Sequence, residues 1–276
     1  EYDVNFDDLM NQDYNLAKFH SYNDFTKLNE LNLHISNFPL FLLYSLIVNC
    51  RDLNSLKIEF IIEKSRDKNN KNIDILNDIS SIIIKYMENL ESFYLINLPL
   101  NKNKIPELVA ALKNSKIKKL GLINCFQKKD VLTSFIPYFS SSTNLQEIDF
   151  SNHSFSIIPY LNNTLLNYNL NNNLTSINFS CCKLNDEDIT NISNYIVSSI
   201  TILFCDISKN ILSTKACSQF GFCISKTSSL ETIKMNECGI NGESLLFLFN
   251  AKGSKSLKNI FLNGNNFGDI GLVSLN

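Results

Sequence analysis

Acid–base or metal chemistry needs imidazoles, thiols or carboxylates that converge, and this 276-residue chain offers few places to look for them. It has three histidines, His20, His34 and His153, far apart in sequence. No H-E-x-x-H, phosphate-binding G-x-x-x-x-G-K-[ST], G-x-G-x-x-G or G-x-S-x-G occurs. The densest carboxylate run is Asp186-Glu187-Asp188. Neighbouring side chains on a helix diverge by about 100°, so such a run does not close around an ion. It suits the first turn of a helix, where the backbone dipole favours negative charge. The expectation is a protein without catalytic residues, metal or cofactor.

The cysteines carry a different message. There are eight, none in a C-x-x-C pair, and Cys125, Cys182 and Cys238 fall at one position of a repeat. That repeat reads L-x-x-L-x-L-x-x-N/C-x-L. It is clearest in LETIKMNECGI (from Leu230) and LKNIFLNGNNF (from Leu257), and recurs from Leu174 and Ile202. Weaker copies start at Leu28, Leu53, Leu90, Ile117 and Leu145. From Leu90 onward successive starts lie 27–29 residues apart, and a register held that long is the mark of a solenoid. L-x-x-L-x-L places alternate residues on one side of a short strand. The Asn or Cys eight residues on turns inward at the strand's end, where Asn satisfies backbone groups and Cys tolerates burial. His153 occupies the same slot, which argues for a structural histidine.

Helix follows strand. Ile189, Ile192, Tyr195 and Ile196 form one helical stripe after the Leu174 copy. Leu132, Phe135, Ile136 and Phe139 form another, in which Pro137 predicts a short or irregular helix. The fold class expected is an α/β leucine-rich repeat solenoid, a horseshoe with a parallel concave sheet and outer helices. It spans residues 28–276 with about nine repeats, truncated at the C-terminus within the last helix. Acidic residues 1–27 read as an N-terminal cap or flank in which Phe6, Leu9, Tyr14, Leu16 and Phe19 seal the first repeat. The long gap between Leu53 and Leu90 contains the charged run of residues 63–72, a solvated or binding loop.

A net charge of -2 argues against a nucleic-acid binder. No run of 18 apolar residues spans a membrane and no signal peptide stands at residues 1–20. Scattered cysteines suit a reducing, cytoplasmic setting, while N-x-S/T triplets at Asn152, Asn162, Asn173, Asn178 and Asn191 leave secretion open.

The concave face should present Asn32, Lys57, Tyr94, Gly121, Asp149, Asn178, Asp206, Lys234 and Phe261, the residues between the second and third apolar positions. Candidate protein-binding anchors are Phe60, Tyr94, Phe204 and Phe261. Phe60 is the weakest, since period-two counting from Leu56 and Ile58 points it inward. Residues 101–130 carry eight lysines against Glu107 and Asp130, a balance of +6, while 131–201 hold -4. Lys118 and Lys119 sit within that basic block. Folded into one patch, it would attract acidic protein segments or anionic lipid headgroups.

These repeats resemble the ribonuclease-inhibitor-like class of leucine-rich repeats. That resemblance implies protein binding and covers families as different as Ran GTPase activators, tropomodulin-like actin regulators and innate immune sensors. FIPYFSSSTNLQEIDFS (135–151), LTSINFSCCKL and SSITILFCDISKNIL are also similar to segments of CARMIL, the capping-protein and myosin-I linker family. That narrower resemblance implies a cytoplasmic, membrane-associated scaffold in actin regulation, with partners on the concave face or rim and membrane contact through the rest of the protein. Two alternatives stand beside it. A Ran-type small-GTPase activator lacks a clear counterpart of its arginine, Arg51 and Arg66 being the only arginines. The other alternative is an extracellular or immune recognition solenoid. Oligomeric state is not readable from the sequence.

Overall fold

The structure is a computed structural model that describes residues 2–5, 29–35, 50, 52–60, 80, 82–85, 87–142, 144–167, 173–249 and 254–274. The chain forms two compact units, residues 1–138 and 139–276. Each is a leucine-rich repeat stack.

In the first unit, strands β1 (Tyr2–Asn5), β2 (Glu30–Ile35), β3 (Ser55–Phe60), β4 (Ser92–Ile96) and β5 (Lys119–Ile123) pair in parallel and in chain order. β1 precedes the first repeat read from sequence and lies inside the segment expected to be a cap or flank. The sealing residues proposed there, the start at Leu28 and the run 63–72 fall outside the described residues. α1 (Ile105–Lys113) follows β4, and α2 (Lys129–Thr133) and α3 (Ile136–Phe139) follow β5. Two short helices stand where one stripe was read. Pro137 lacks the N–H that would continue the helix across residues 134–136.

The second unit repeats the plan with β6 (Glu147–Asp149), β7 (Ser176–Asn178), β8 (Phe204–Asp206), β9 (Thr232–Lys234) and β10 (Asn259–Phe261), again parallel and in order. The intervening α4 (Ile158–Leu161), α5 (Asp186–Ser198), α6 (Thr214–Lys226), α7 (Gly242–Phe249) and α8 (Gly268–Ser274) each pack on the next.

The repeat's apolar positions build the core as their period demands. Leu174, Ile177, Phe179, Ile202, Cys205, Ile207, Leu230, Ile233 and Met235 are fully buried, as are Leu90, Phe93 and Leu95 in the first unit. The inward Asn/Cys slot holds Cys125, His153, Cys182, Asn210 and Cys238, all buried. Asn210 shows why the slot is selective. Its Nδ2 donates to the carbonyls of Phe179, Ile207 and Ser208, and its Oδ1 accepts from the N–H groups of Cys182 and Leu184 in the preceding repeat. Asn265 does the same for Met235, Leu262, Cys238 and Ile240. Cysteine covers the slot with one atom: the Cys182 thiol donates to Phe150 and Ser180, and Cys125 and Cys238 act alike.

One residue earlier the backbone is left-handed in seven consecutive copies, at Asn97, Asn124, Asn152, Cys181, Lys209, Glu237 and Gly264. That single conformation turns the chain off the strand so that the next residue points inward. Asn and Gly adopt it at little cost, Cys, Lys and Glu at more. Three residues beyond the slot, Asn185, Ser213 and Asn241 cap the helices α5, α6 and α7 by accepting from backbone N–H groups.

Candidate protein-binding surface

The strand residues that do not enter the core line the open face of each sheet. In the first unit they lie side by side as Asn32, Lys57, Tyr94 and Gly121. In the second the row is Asp149, Asn178, Asp206, Lys234 and Phe261.

Phe60 does not belong to this surface. It is buried at the end of β3 with Leu56 and Ile58, because strand alternation sends all three to the core side; as an anchor it is corrected here. Tyr94 is half-buried, and its ring lies against Gly121 so closely that a methyl group there would overlap it. Gly121 is thus the seat of the tyrosine ring. His34 also lies on this face, 3.3 Å from the Glu59 carboxylate.

The basic block of residues 101–130 divides. Lys118 and Lys119 stand at the start of β5, whereas Lys128 and Lys129 follow its end, about 16 Å of strand away. Lys118 is paired with Glu91 at 2.7 Å and Lys102 with Asp130 at 3.4 Å. The strand thus sets Lys118 and Lys119 apart from Lys128 and Lys129, and acidic neighbours take part of the charge.

The second unit brings two of the anchors together around a residue not singled out as one. Lys234 extends its ammonium over the ring of Phe204, 5.2 Å from the centroid, and over that of Phe261, at 5.7 Å. Both distances fall within the range of favourable cation–π attraction. Phe204 is half-buried and Phe261 is 40% exposed. Beside this stack runs a polar ladder. The side chains of Asp149, Asn178 and Asp206 each accept the backbone N–H two residues on, at Ser151, Ser180 and Ser208. Asn178 Nδ2 also donates to Asp149 Oδ2 at 2.9 Å. Burial pushes the Asp149 carboxyl above the usual carboxylate range, helped by the nearby Asp206 and opposed by the Ser151 and Asn178 bonds. The triplets Asp149-Phe150-Ser151, Asn178-Phe179-Ser180 and Asp206-Ile207-Ser208 carried this signal in the sequence.

The groups that drew attention as chemistry are dispersed. Asp188 is buried and completes a reciprocal cap with Asn185, Asp186 accepts from the Ser213 hydroxyl, and Glu187 is exposed. His153 Nδ1–H donates to Phe150 O, and burial lowers its pKa to about 4, so it is neutral near pH 7. Desolvation pushes the Cys125 thiol up to about 12, far from a thiolate nucleophile. Among the described residues, no group of three or more His, Cys, Asp or Glu is placed to hold a metal ion, and no helix is long and apolar enough to cross a membrane.

No family model matches the chain. No curated protein matches it in sequence. Among solved structures, a chain in the crystal structure of the Rad7 and Elc1 complex in yeast is similar, with a TM-score of 0.50 and 16% identity over 84% of this chain. This chain spans 63% of the length of that one. The likeness is one of fold, and it agrees with the repeat architecture described above. None of these comparisons supports the narrower resemblance to CARMIL.

Proposed function

We propose that this chain is a non-catalytic protein-binding scaffold whose binding surface is the open face of β6–β10. The observation that carries the reading is the Phe204–Lys234–Phe261 stack, which presents aromatic surface beside hydrogen-bonding side chains on rigid strands. Aromatic side chains held in this way are the usual centres of protein interfaces. That the structural neighbour was solved as a complex of two proteins agrees with a general protein-binding role.

Photo-crosslinking tests the face. A benzoylphenylalanine replaces Phe261 on the open face or Phe222, which is 60% exposed on α6. Discrete partner adducts from position 261 and none from position 222 are expected. Adducts from position 222 alone, or from neither, refute the reading.

Cytoskeletal regulators are the first partners to seek, on the strength of the CARMIL-like segments; absence of any such protein among the adducts removes that part. A cytoplasmic location is proposed from the eight free cysteines, of which Cys181 is exposed and the others buried. Thiol titration of the denatured, alkylation-free protein should count eight, and any disulfide from the native source would speak for secretion. Small-GTPase activation has less to rest on, as Arg51 and Arg66 lie outside the described residues.

A further inference from the structure

The open face of β6–β10 is unevenly charged, and this bears on what it binds. Its outward positions hold three carboxylates, Glu147, Asp149 and Asp206, against one ammonium, Lys234. Asp206 and Lys234 are register partners on adjacent strands, yet the lysine reaches to the two rings, and no ion pair joins it to Asp206 among the described residues. Asp206 spends one carboxylate oxygen on the Ser208 N–H. Its other oxygen has no hydrogen-bond partner among the described residues. Phe204 stands one outward position before Asp206 on the same strand.

Taking the open face as the binding surface, as above, we propose that it receives an extended basic protein segment, whose guanidinium or ammonium groups meet Asp149 and Asp206 and whose aliphatic stems lie on Phe204. The spacing sets a further condition. Asp149 and Asp206 are two strands apart, about 10 Å, and a segment extended as a polyproline II helix returns every third side chain to one face at about 9 Å. Cations at every third residue therefore match the two carboxylates, and closer or wider spacings do not. An acidic segment meets the same carboxylates as like charges. The stacked Lys234 shows the form such contacts take, with an ammonium held over aromatic faces.

The test uses the whole chain and labelled 13-residue Gly/Ser peptides, read by fluorescence anisotropy at low salt. One peptide carries Arg at every third position, one carries the same number of Arg at every second position, and one carries Glu at every third. The first should bind best and the third not at all. Asp149→Asn and Asp206→Asn should each weaken the first by about fivefold or more, equivalent to about 1 kcal/mol. Both variants keep the turn at the strand's end, because Asn178 already makes it with a carboxamide. Glu187→Gln and Glu243→Gln, exposed on α5 and α7, should leave binding unchanged. Equal losses from the helix and sheet variants, no loss from Asp206→Asn, or binding of the acidic peptide would overturn the proposal. If position 261 still crosslinks a partner while the basic peptide fails, the charge inference alone is wrong. If position 261 also yields nothing, the binding face itself is wrong.

Discussion

Asn210 is the residue on which neighbouring repeats most visibly depend. Its carboxamide makes five hydrogen bonds at full burial, two of them to N–H groups of the preceding repeat. Asn210→Ala strands those groups, at about 1–3 kcal/mol for each one left unsatisfied, so a loss of about 3 kcal/mol or more is expected in urea unfolding. Asn210→Cys should lose clearly less, because thiols hold the same slot at Cys182 and Cys238; equal losses would refute this account of the slot. His153 adds a pH dependence at the equivalent position. Its pKa falls from 6.5 to about 4 on burial, so between those values the unfolded chain holds a proton that the folded chain does not. Stability is greatest above pH 6.5, declines as pH falls towards 4, and levels off below, with about 3 kcal/mol at stake. Asp149 acts in the opposite sense, its raised pKa favouring the folded state as its carboxyl protonates. Comparison with His153→Asn isolates the histidine: the variant's stability should lose its slope between pH 4 and 6.5, and an unchanged slope would show that other groups cause it.

At the scale of elements, caps and turns hold the repeat in phase. Asn185 and Asp188 cap α5 reciprocally through their side chains and backbone N–H groups. Asn185→Ala should cost about 1 kcal/mol, seen as a lowered midpoint in chemical denaturation, and a neutral result would mean the first turn is held by packing alone. The strands and the inward slot were legible in the sequence because each rests on apolar identity at fixed spacing, from Leu90 to Met235. The same counting placed Phe60 inward and identified α5 from its apolar stripe. The cap position at Asn185, Ser213 and Asn241 was present in the sequence and missed, since Asn and Ser are so common in this chain that their recurrence did not stand out. The Lys234 stack was not legible at all. A period of two gives the face on which a side chain emerges, but not the direction in which a four-carbon stem then leans, and Phe204 and Phe261 lie 57 residues apart in the chain. The basic block shows a related limit: closeness in sequence put Lys118 and Lys119 with Lys128 and Lys129, and the strand β5 lies between them.

At the scale of the whole molecule, a repeat stack is as stable as the interfaces between its neighbours, so a position's cost depends on whether both sides are covered. In the 139–276 unit, Ile177, Cys205 and Ile233 are fully buried between adjoining repeats, while Ile200 and Ile211 of the same unit are exposed. Isoleucines of one unit therefore carry unequal loads. Ile233→Ala removes methylenes from a closed interior and should cost about 3 kcal/mol, within the 2–5 kcal/mol range for such truncations. Ile211→Ala removes methylenes that solvent already reaches, and should cost about 1 kcal/mol or less. Hydrogen exchange reads the stacking directly, because a repeat opens at a free energy set by the neighbour interfaces it must break. Ile233→Ala should speed exchange most in the amides of 232–249, less in those of 204–226 stacked on them, and least in those of 176–198. An equal change in all three segments would mean that the unit opens as one cooperative block, and that the stacking of neighbours does not govern its stability.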